Sequence, residues 1–193
     1  MEKLIRWLCW LLCSHCAVIA IDTHDFYQFT VTDMAGNDVP LEKYRGTVSL
    51  VVNVASHCGY TDSHYKGLTM LQGALKEKGK FNVLAFPCNQ FGKQEPGSHE
   101  EILKFTKQYN VNFPIFAKLK VDGDGADPIY NFLAEQTGKR PTWNFWKYLI
   151  SPEGRVLKAW SPRYDVEAIF DEVWRTVDKV GGVDKETKPT KEL

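Results

Sequence analysis

The feature that most constrains this chain is a buried-strand pattern that leads through an amphipathic helix into a second buried strand. Thr47–Ala55 reads TVSLVVNVA, which is rich in β-branched residues and typical of a strand covered on both faces. Apolar residues then recur at three- and four-residue spacing from Tyr65 to Leu75, which predicts a helix capped by Thr61 or Asp62. Phe81–Phe86 follows as a second short strand. The unit is therefore a β-α-β crossover with parallel strands.

The rest of the chain continues to alternate helices and strands and then ends in a hairpin and a helix. The expected elements are a helix opened by Ser98, a strand over Phe113–Val121, a helix over Pro128–Gln136, hairpin strands Lys147–Ile150 and Arg155–Trp160, and a helix over Val166–Val180. Parallel units followed by an antiparallel hairpin predict an α/β fold, a three-layer sandwich around a central mixed sheet. This arrangement suits a thioredoxin-like fold.

Length and charge narrow the range of functions. A chain of 193 residues is long enough for one well-buried core and too short for two ordinary domains. Lys plus Arg and Asp plus Glu each total 24, so no net charge draws the protein to nucleic acid or to an anionic membrane surface. We expect one domain over residues 21–180 and no nucleic-acid partner.

The first 20 residues have the pattern of a secretory signal. Lys3 and Arg6 form a basic start, an apolar stretch follows, and Ala20 precedes a suitable cleavage point. Arg6, Ser14 and His15 interrupt the apolar stretch, which favours a cleaved signal peptide over a signal anchor. The alternative remains open, and the protein is bound to a membrane only if this segment is uncleaved.

The last residues, 181–193, have the composition of a solvated, flexible tail. The chain ends in Thr190-Lys191-Glu192-Leu193, which shares the Glu-Leu ending of endoplasmic-reticulum retrieval signals but does not match KDEL or HDEL. With the signal-like start, this ending predicts a protein of the endoplasmic-reticulum lumen or a secreted one.

Cleavage after Ala20 leaves Cys58 and Cys88 as the only cysteines. The secretory route is oxidising, so such a pair can cycle or stay bonded there. Beyond residue 20 there is no CxxC motif, and no Cys/His cluster has zinc-ligand spacing, so we expect neither a metal nor a cofactor.

Cys58 falls between the first buried strand and the start of the helix. Unpaired amide groups and the helix dipole at such a position favour a thiolate, which can attack a disulfide or the O–O bond of a peroxide. The alternative is an inert buried cysteine. Cys88 follows the neighbouring strand and is a candidate resolving cysteine, although the turn between them can hold the two thiols apart until a loop moves.

Three segments together resemble the signature segments of the glutathione peroxidase family. They are VVNVASHCGYT at 51–61, LAFPCNQFGKQEPGS at 84–98 and PTWNFWKYL at 141–149. They recur in the family's order. The sequence of the third segment and the two ends of the chain look most similar to the endoplasmic-reticulum members of the family, types seven and eight.

The resemblance implies a catalytic group. Its nucleophile falls on Cys58, its glutamine on Gln94 rather than Gln90, and its tryptophan and asparagine on Trp143 and Asn144. Amide and indole groups can donate hydrogen bonds to a thiolate or a leaving oxygen without adding a competing titrating group.

Two further residues have open roles. No cysteine lies between Gly97 and Phe113, where thioredoxin-dependent relatives place their resolving thiol, so that role would fall to Cys88. His57 replaces the family's usual Gln or Glu and either supports the thiolate or is a solvated turn residue.

The resemblance implies a monomeric, cysteine-dependent thiol peroxidase that reduces hydrogen peroxide or organic and lipid hydroperoxides. The thiol reductant would be protein disulfide isomerase or glutathione, and no counterpart of the basic residues that bind glutathione in tetrameric relatives is recognisable. Two alternatives are a thiol–disulfide oxidoreductase that never needs peroxide and a non-catalytic redox-sensing binding module.

Overall fold

The structure is a computed structural model that describes residues 24–181; the predicted signal segment and most of the predicted tail lie outside these residues. The main elements are the strands β1 (Thr30–Thr32), β2 (Asp38–Pro40), β3 (Val48–Val54), β4 (Phe81–Pro87), β5 (Lys147–Ile150) and β6 (Val156–Trp160), and the helices α1 (Thr61–Lys76), α2 (His99–Thr106), α3 (Pro128–Thr137) and α4 (Val166–Gly181). Short 3₁₀ turns at Phe26–Gln28, Leu41–Tyr44 and Lys107–Tyr109 connect some of them.

The central sheet is mixed, as predicted. Its strand order is β4-β3-β5-β6, with β3 parallel to β4 and antiparallel to β5, and β5 antiparallel to β6. Every residue of β3 is buried, because this strand is central and covered on both faces. The predicted α/β fold with a central mixed sheet is therefore confirmed.

Two apolar clusters lie on opposite faces of this sheet. Neighbouring residues of β3 divide between them: Leu50 joins the cluster of α1 and α4, whereas Val51 joins the cluster that contains α3. The apolar face predicted for α1 packs in the first cluster through Tyr65 and Leu68. Helices on both faces of a sheet make the three layers.

The region Phe113–Val121 is not a regular strand, which corrects the sequence-based expectation. It runs beside the edge of β4 and forms isolated bridges at Ile115 and Phe116 only. Pro114 accepts a hydrogen bond from Ala85 through its carbonyl but has no N–H to donate, so a continuous ladder cannot form there. The small antiparallel pair β1-β2 was not predicted at all.

Helix starts were predicted with mixed success. Ser98 caps α2 in a full capping box with Glu101, and Asp127 caps α3 ahead of Pro128. The predicted cap of α1 is wrong: the N-cap is Tyr60, which makes no side-chain cap bond. Within residues 24–181 no helix is long and apolar enough to cross a membrane.

Candidate active site

Cys58 lies in the turn between β3 and α1, and only 8% of it is exposed. Thr61 fixes this turn from the start of α1. Its hydroxyl donates to the carbonyl of Ala55 over 2.7 Å and accepts from the backbone N–H of Cys58 over 3.0 Å, while its own N–H donates to the carbonyl of Cys58. Thr61, predicted as a helix cap, instead holds the cysteine's backbone in place.

Gln94 is held next to this turn by the main chain. The N–H of His57, the residue before Cys58, donates to the carbonyl of Gln94 over 3.0 Å. The Gln94 side chain folds back over Gly92, where a Cβ would approach its Cγ and Cδ to 3.3 Å and where φ is +62°. Both the close approach and the left-handed backbone favour glycine at position 92.

Residues 141–146, called the catalytic loop below, bring Asn144 to Gln94. Asn144 is fully buried and its Nδ2 donates to Oε1 of Gln94 over 2.9 Å. The structure therefore joins two site residues that the sequence separates by fifty positions.

Asn53 in β3 clamps the catalytic loop and was missed by the sequence analysis. Its Nδ2 donates to the carbonyl of Trp143 over 3.0 Å, and its Oδ1 accepts from the N–H of Trp146 over 2.9 Å. Its carbonyl accepts from the N–H of Phe145 over 2.6 Å. The available signal was an amide inside a mostly apolar strand, since a buried amide must find partners.

Trp143 is 38% exposed, and its ring lies 6.1 Å from that of Phe91 between centroids. It lines a surface depression of about 320 Å³ together with Tyr60, two residues after Cys58. The other lining residues are Thr142, Ser161, Pro162 and Arg163. The indole is thus at the surface, beside the turn that carries the cysteine.

His57 is exposed and its ring faces that of Phe105 at 6.2 Å. It lines a groove of about 390 Å³ with the buried Glu95. Burial raises the pKa of the Glu95 carboxyl, and nearby Ser56, Lys118 and His57 counter part of that rise.

Cys88 lies on the other face of the sheet from Cys58. It is fully buried in the cluster that contains α3, whereas Cys58 belongs to the cluster of α1 and α4. Its N–H donates to the carbonyl of Val54 over 3.0 Å, and burial raises the pKa of its thiol. Both cysteines are free thiols.

The side chain of Gln90, in the loop that follows β4, has a structural role. Its Oε1 accepts from the N–H of Val121 over 2.6 Å and from that of Asp122 over 3.1 Å, and its Nε2 donates to the carbonyl of Asp122. These bonds occupy the amide of Gln90 in holding the chain after residue 120.

A buried basic pair, also missed from the sequence, adjoins the catalytic loop. Nζ of Lys147 lies 3.1 Å from Nε2 of His64, and both side chains are almost completely buried. Burial lowers the pKa of Lys147 to about 7, and burial together with the charge of Lys147 lowers the pKa of His64 to about 4.

The arrangement suits stabilisation of a reacting thiol by groups that carry no charge. Amide groups of Gln94 and Asn144 and the indole of Trp143 lie around the turn that carries the buried cysteine. Among residues 24–181 no group of three or more His, Cys, Asp or Glu side chains could hold a metal ion.

Comparison with known proteins identifies the family of the chain. The family model for glutathione peroxidase matches residues 26–134. The chain is 52% identical over 172 residues to glutathione peroxidase 7 of Bos taurus, covering 89% of this chain and 91% of the relative. It is 49% identical over 160 residues to probable glutathione peroxidase 8 of Homo sapiens, covering 81% of this chain and 75% of the relative.

Solved structures give the same answer for the fold. The crystal structure of Trgpx in apo form matches with a TM-score of 0.67 at 36% identity, covering 81% of this chain and 97% of that one. A thioredoxin-family thiol:disulfide interchange protein from Chlorobium tepidum matches with a TM-score of 0.60 at 13% identity, covering 77% and 92%, and shares the fold alone. The chain is therefore a peroxidase with a thioredoxin-like fold and belongs to the glutathione peroxidase family.

Proposed function

We propose that Cys58 is the peroxide-reducing nucleophile of this thiol peroxidase. Its thiolate attacks one oxygen of a hydrogen peroxide or of an organic or lipid hydroperoxide. The O–O bond breaks, the other oxygen leaves as water or an alcohol after taking up a proton, and Cys58 becomes a sulfenic acid. The sulfur is oxidised and the peroxide is reduced.

Gln94, Trp143 and Asn144 stabilise the charge that moves from sulfur to the leaving oxygen. The observation that carries this assignment is the hydrogen bond from Asn144 to Gln94 beside the turn of Cys58. It joins the two amides in one network whose members do not titrate near neutral pH. Donors held in place before the reaction lower the barrier more than donors that must reorient.

A partner thiol attacks the sulfenic acid of Cys58 before Cys88 does. The attack releases water and forms a mixed disulfide, and a second thiol of the partner then displaces Cys58 and leaves with the new disulfide. The contacts of Cys88 support this order, since its thiol is buried in the opposite cluster. Cys88 resolves Cys58 only after the loop that follows β4 has moved.

The reductant is a protein dithiol of the secretory pathway, with protein disulfide isomerase as the specific proposal and glutathione as the alternative. The basic and apolar pattern of residues 1–20 supports a signal peptide, and the Thr190–Leu193 ending supports retention in the endoplasmic-reticulum lumen. The enzyme acts as a monomer and would supply disulfides to folding proteins.

Single-turnover oxidation tests the proposal. Purified reduced protein is mixed with one equivalent of hydrogen peroxide in the presence of dimedone, and the modified peptide is identified by mass. We expect the adduct on Cys58 in the wild type and none in Cys58→Ser, with Cys88→Ser as the matched control that keeps the adduct. A folded Cys58→Ser variant that consumes peroxide at the wild-type rate would contradict the assignment.

The choice of reductant is tested in the same system. Turnover is measured with reduced protein disulfide isomerase or with glutathione at equal thiol concentration. We expect faster turnover with the isomerase and a mixed disulfide through Cys58. Faster turnover with glutathione would remove the isomerase as the preferred reductant.

A further inference from the structure

A buried lysine that forms no salt bridge within residues 24–181 adjoins the catalytic loop. Lys147 opens β5 and is fully buried. Its Nζ donates to the carbonyl of Phe145 over 2.8 Å and to the carbonyl of Ser161 at 3.5 Å, and contacts Nε2 of His64 at 3.1 Å. None of the ion pairs in residues 24–181 includes it.

Stability of the fold alone does not favour a buried lysine at this position. Removing an ammonium group from water is costly unless a countercharge compensates, and an apolar side chain of similar volume often packs at least as well. The low pKa of Lys147, about 7, expresses the same cost. A contribution other than packing is therefore the better explanation for a charge at this position.

The acceptors of Lys147 come from three different segments around the site. Phe145 directly follows Asn144 in the catalytic loop, His64 lies in α1, and Ser161 follows β6. The depression beside Trp143 is lined by the catalytic loop, by Ser161 and by the residue Tyr60. Lys147 thus connects the walls of that depression from inside the protein.

His64 extends the connection to the turn of the nucleophile. A protonated Lys147 can only donate, so Nε2 of His64 must accept. The imidazole N–H is then on Nδ1, which donates to the carbonyl of Tyr60 over 3.0 Å. Tyr60 is the N-cap of α1 and comes two residues after Cys58.

We propose that Lys147 is a positioning residue of the peroxidase reaction, acting through Phe145 and His64 to hold the catalytic loop and the turn of Cys58 in one reactive arrangement. The inference rests on the proposed role of Cys58 and of the catalytic loop. Lys147 itself does not touch the reacting atoms in this role.

The number of donors on Lys147 depends on its charge. Besides each other, Lys147 and His64 are acted on by Asp165, from the turn before α4, which favours the charged form of both. Below pH 7 the ammonium has three hydrogens for its three acceptors, whereas the neutral amine has two. The positioning effect should therefore be largest below pH 7 and decline above it.

The main test compares Lys147→Met with Lys158→Met. Lys158 is an exposed residue of the neighbouring strand β6 that pairs with Glu172, so its variant controls for the loss of a lysine. We expect the rate constant for oxidation of Cys58 at pH 6 to fall by about tenfold to a hundredfold in Lys147→Met only. Its melting temperature should stay close to that of the wild type, because the relief from burying an ammonium group offsets the partners lost by Phe145 and His64.

The pH profile separates positioning from a merely structural role. The ratio of the wild-type rate constant to that of Lys147→Met should shrink as the pH rises from 6 to about 8.5. A wild-type rate constant and profile in folded Lys147→Met would overturn the proposal. A lower rate that is fully explained by a smaller amount of folded protein would also overturn it.

Variants of His64 keep the proposal testable if Lys147→Met does not fold. His64→Leu breaks the link to Tyr60, and we expect it to slow the oxidation of Cys58. His64→Gln retains a group that can accept from Lys147 and donate to Tyr60, so it should recover most of the rate. Equal rates in these two variants would contradict the proposed link.

A double variant separates this inference from the proposed function. Lys147→Met is combined with Asn144→Ala, and we expect the two losses of rate to overlap because both act through the catalytic loop. Losses that multiply would overturn the role of Lys147. If Cys58→Ser or Asn144→Ala alone leaves the rate unchanged, the proposed site fails instead.

Discussion

The side-chain amide of Asn144 donates a hydrogen bond of 2.9 Å to the side-chain oxygen of Gln94, and both residues adjoin the turn that carries Cys58. The bond orients each amide, because an oxygen that accepts from Asn144 leaves the Nε2 of Gln94 to donate elsewhere. It also makes the two residues one functional unit.

We predict that Gln94→Ala and Asn144→Ala each slow oxidation of Cys58 by about 10²-fold, because each removes a preorganised donor but leaves the nucleophile. In the double variant the rate constant should fall by much less than the product of the two single-variant factors, since the residues share one network. Stopped-flow single-turnover kinetics with hydrogen peroxide measures all three. Fully multiplicative losses would show that the two amides act independently.

Asn53→Ala should slow the reaction although Asn53 is not a catalytic residue. The change leaves the carbonyl of Trp143 and the N–H of Trp146, both partly buried, without their Asn53 partner, which costs up to about 1–3 kcal/mol for each group that water cannot reach. Urea unfolding and single-turnover kinetics are measured together. The matched control is Asn82→Ala in β4, whose amide bonds Thr47 away from the site, and it should lose some stability without slowing a folded enzyme.

Cys88→Ser should keep nearly full turnover when a protein dithiol is the reductant, because that partner attacks Cys58 directly. Without a partner, wild-type protein should form the Cys58–Cys88 disulfide slowly, and Cys88→Ser should accumulate sulfenic and then over-oxidised Cys58. Peptide mapping after stoichiometric peroxide measures this. If no linked peptide forms even without a partner, Cys88 has no resolving role.

Acid should destabilise the protein partly through His64. Its pKa is about 4 in the folded protein and about 6.5 in an unfolded chain, so the unfolded state takes up the proton first. The free energy of unfolding therefore decreases as the pH falls from 6.5 to 4, by up to about 3 kcal/mol. Urea unfolding across this range should show a smaller decrease for His64→Gln. His99→Gln is the control, and its free energy of unfolding should decrease by as much as that of the wild type.

Several features of the fold followed from local pattern. The nearly continuous apolar run at β3, the three- and four-residue spacing in α1 and the Ser98 capping box each predict their element from neighbouring residues alone. The expected strand over Phe113–Val121 failed because a local pattern does not show which edge a segment meets, nor that Pro114 there would lack a donor.

The sequence by itself determined the order of strands and helices, the mixed sheet and the family, because periodicity and the three signature segments are carried by nearby residues. Only the tertiary structure decided which distant side chains meet. Asn53 reaches Trp143 across ninety positions, and Lys147 reaches His64 across eighty-three. Strand register and the crossing of α1 set these contacts, and a one-residue slip would turn each strand side chain to the other face. The alternation along β4 puts Cys88 in the same cluster as Phe86, whereas Cys58 lies in a turn that packs in the other cluster.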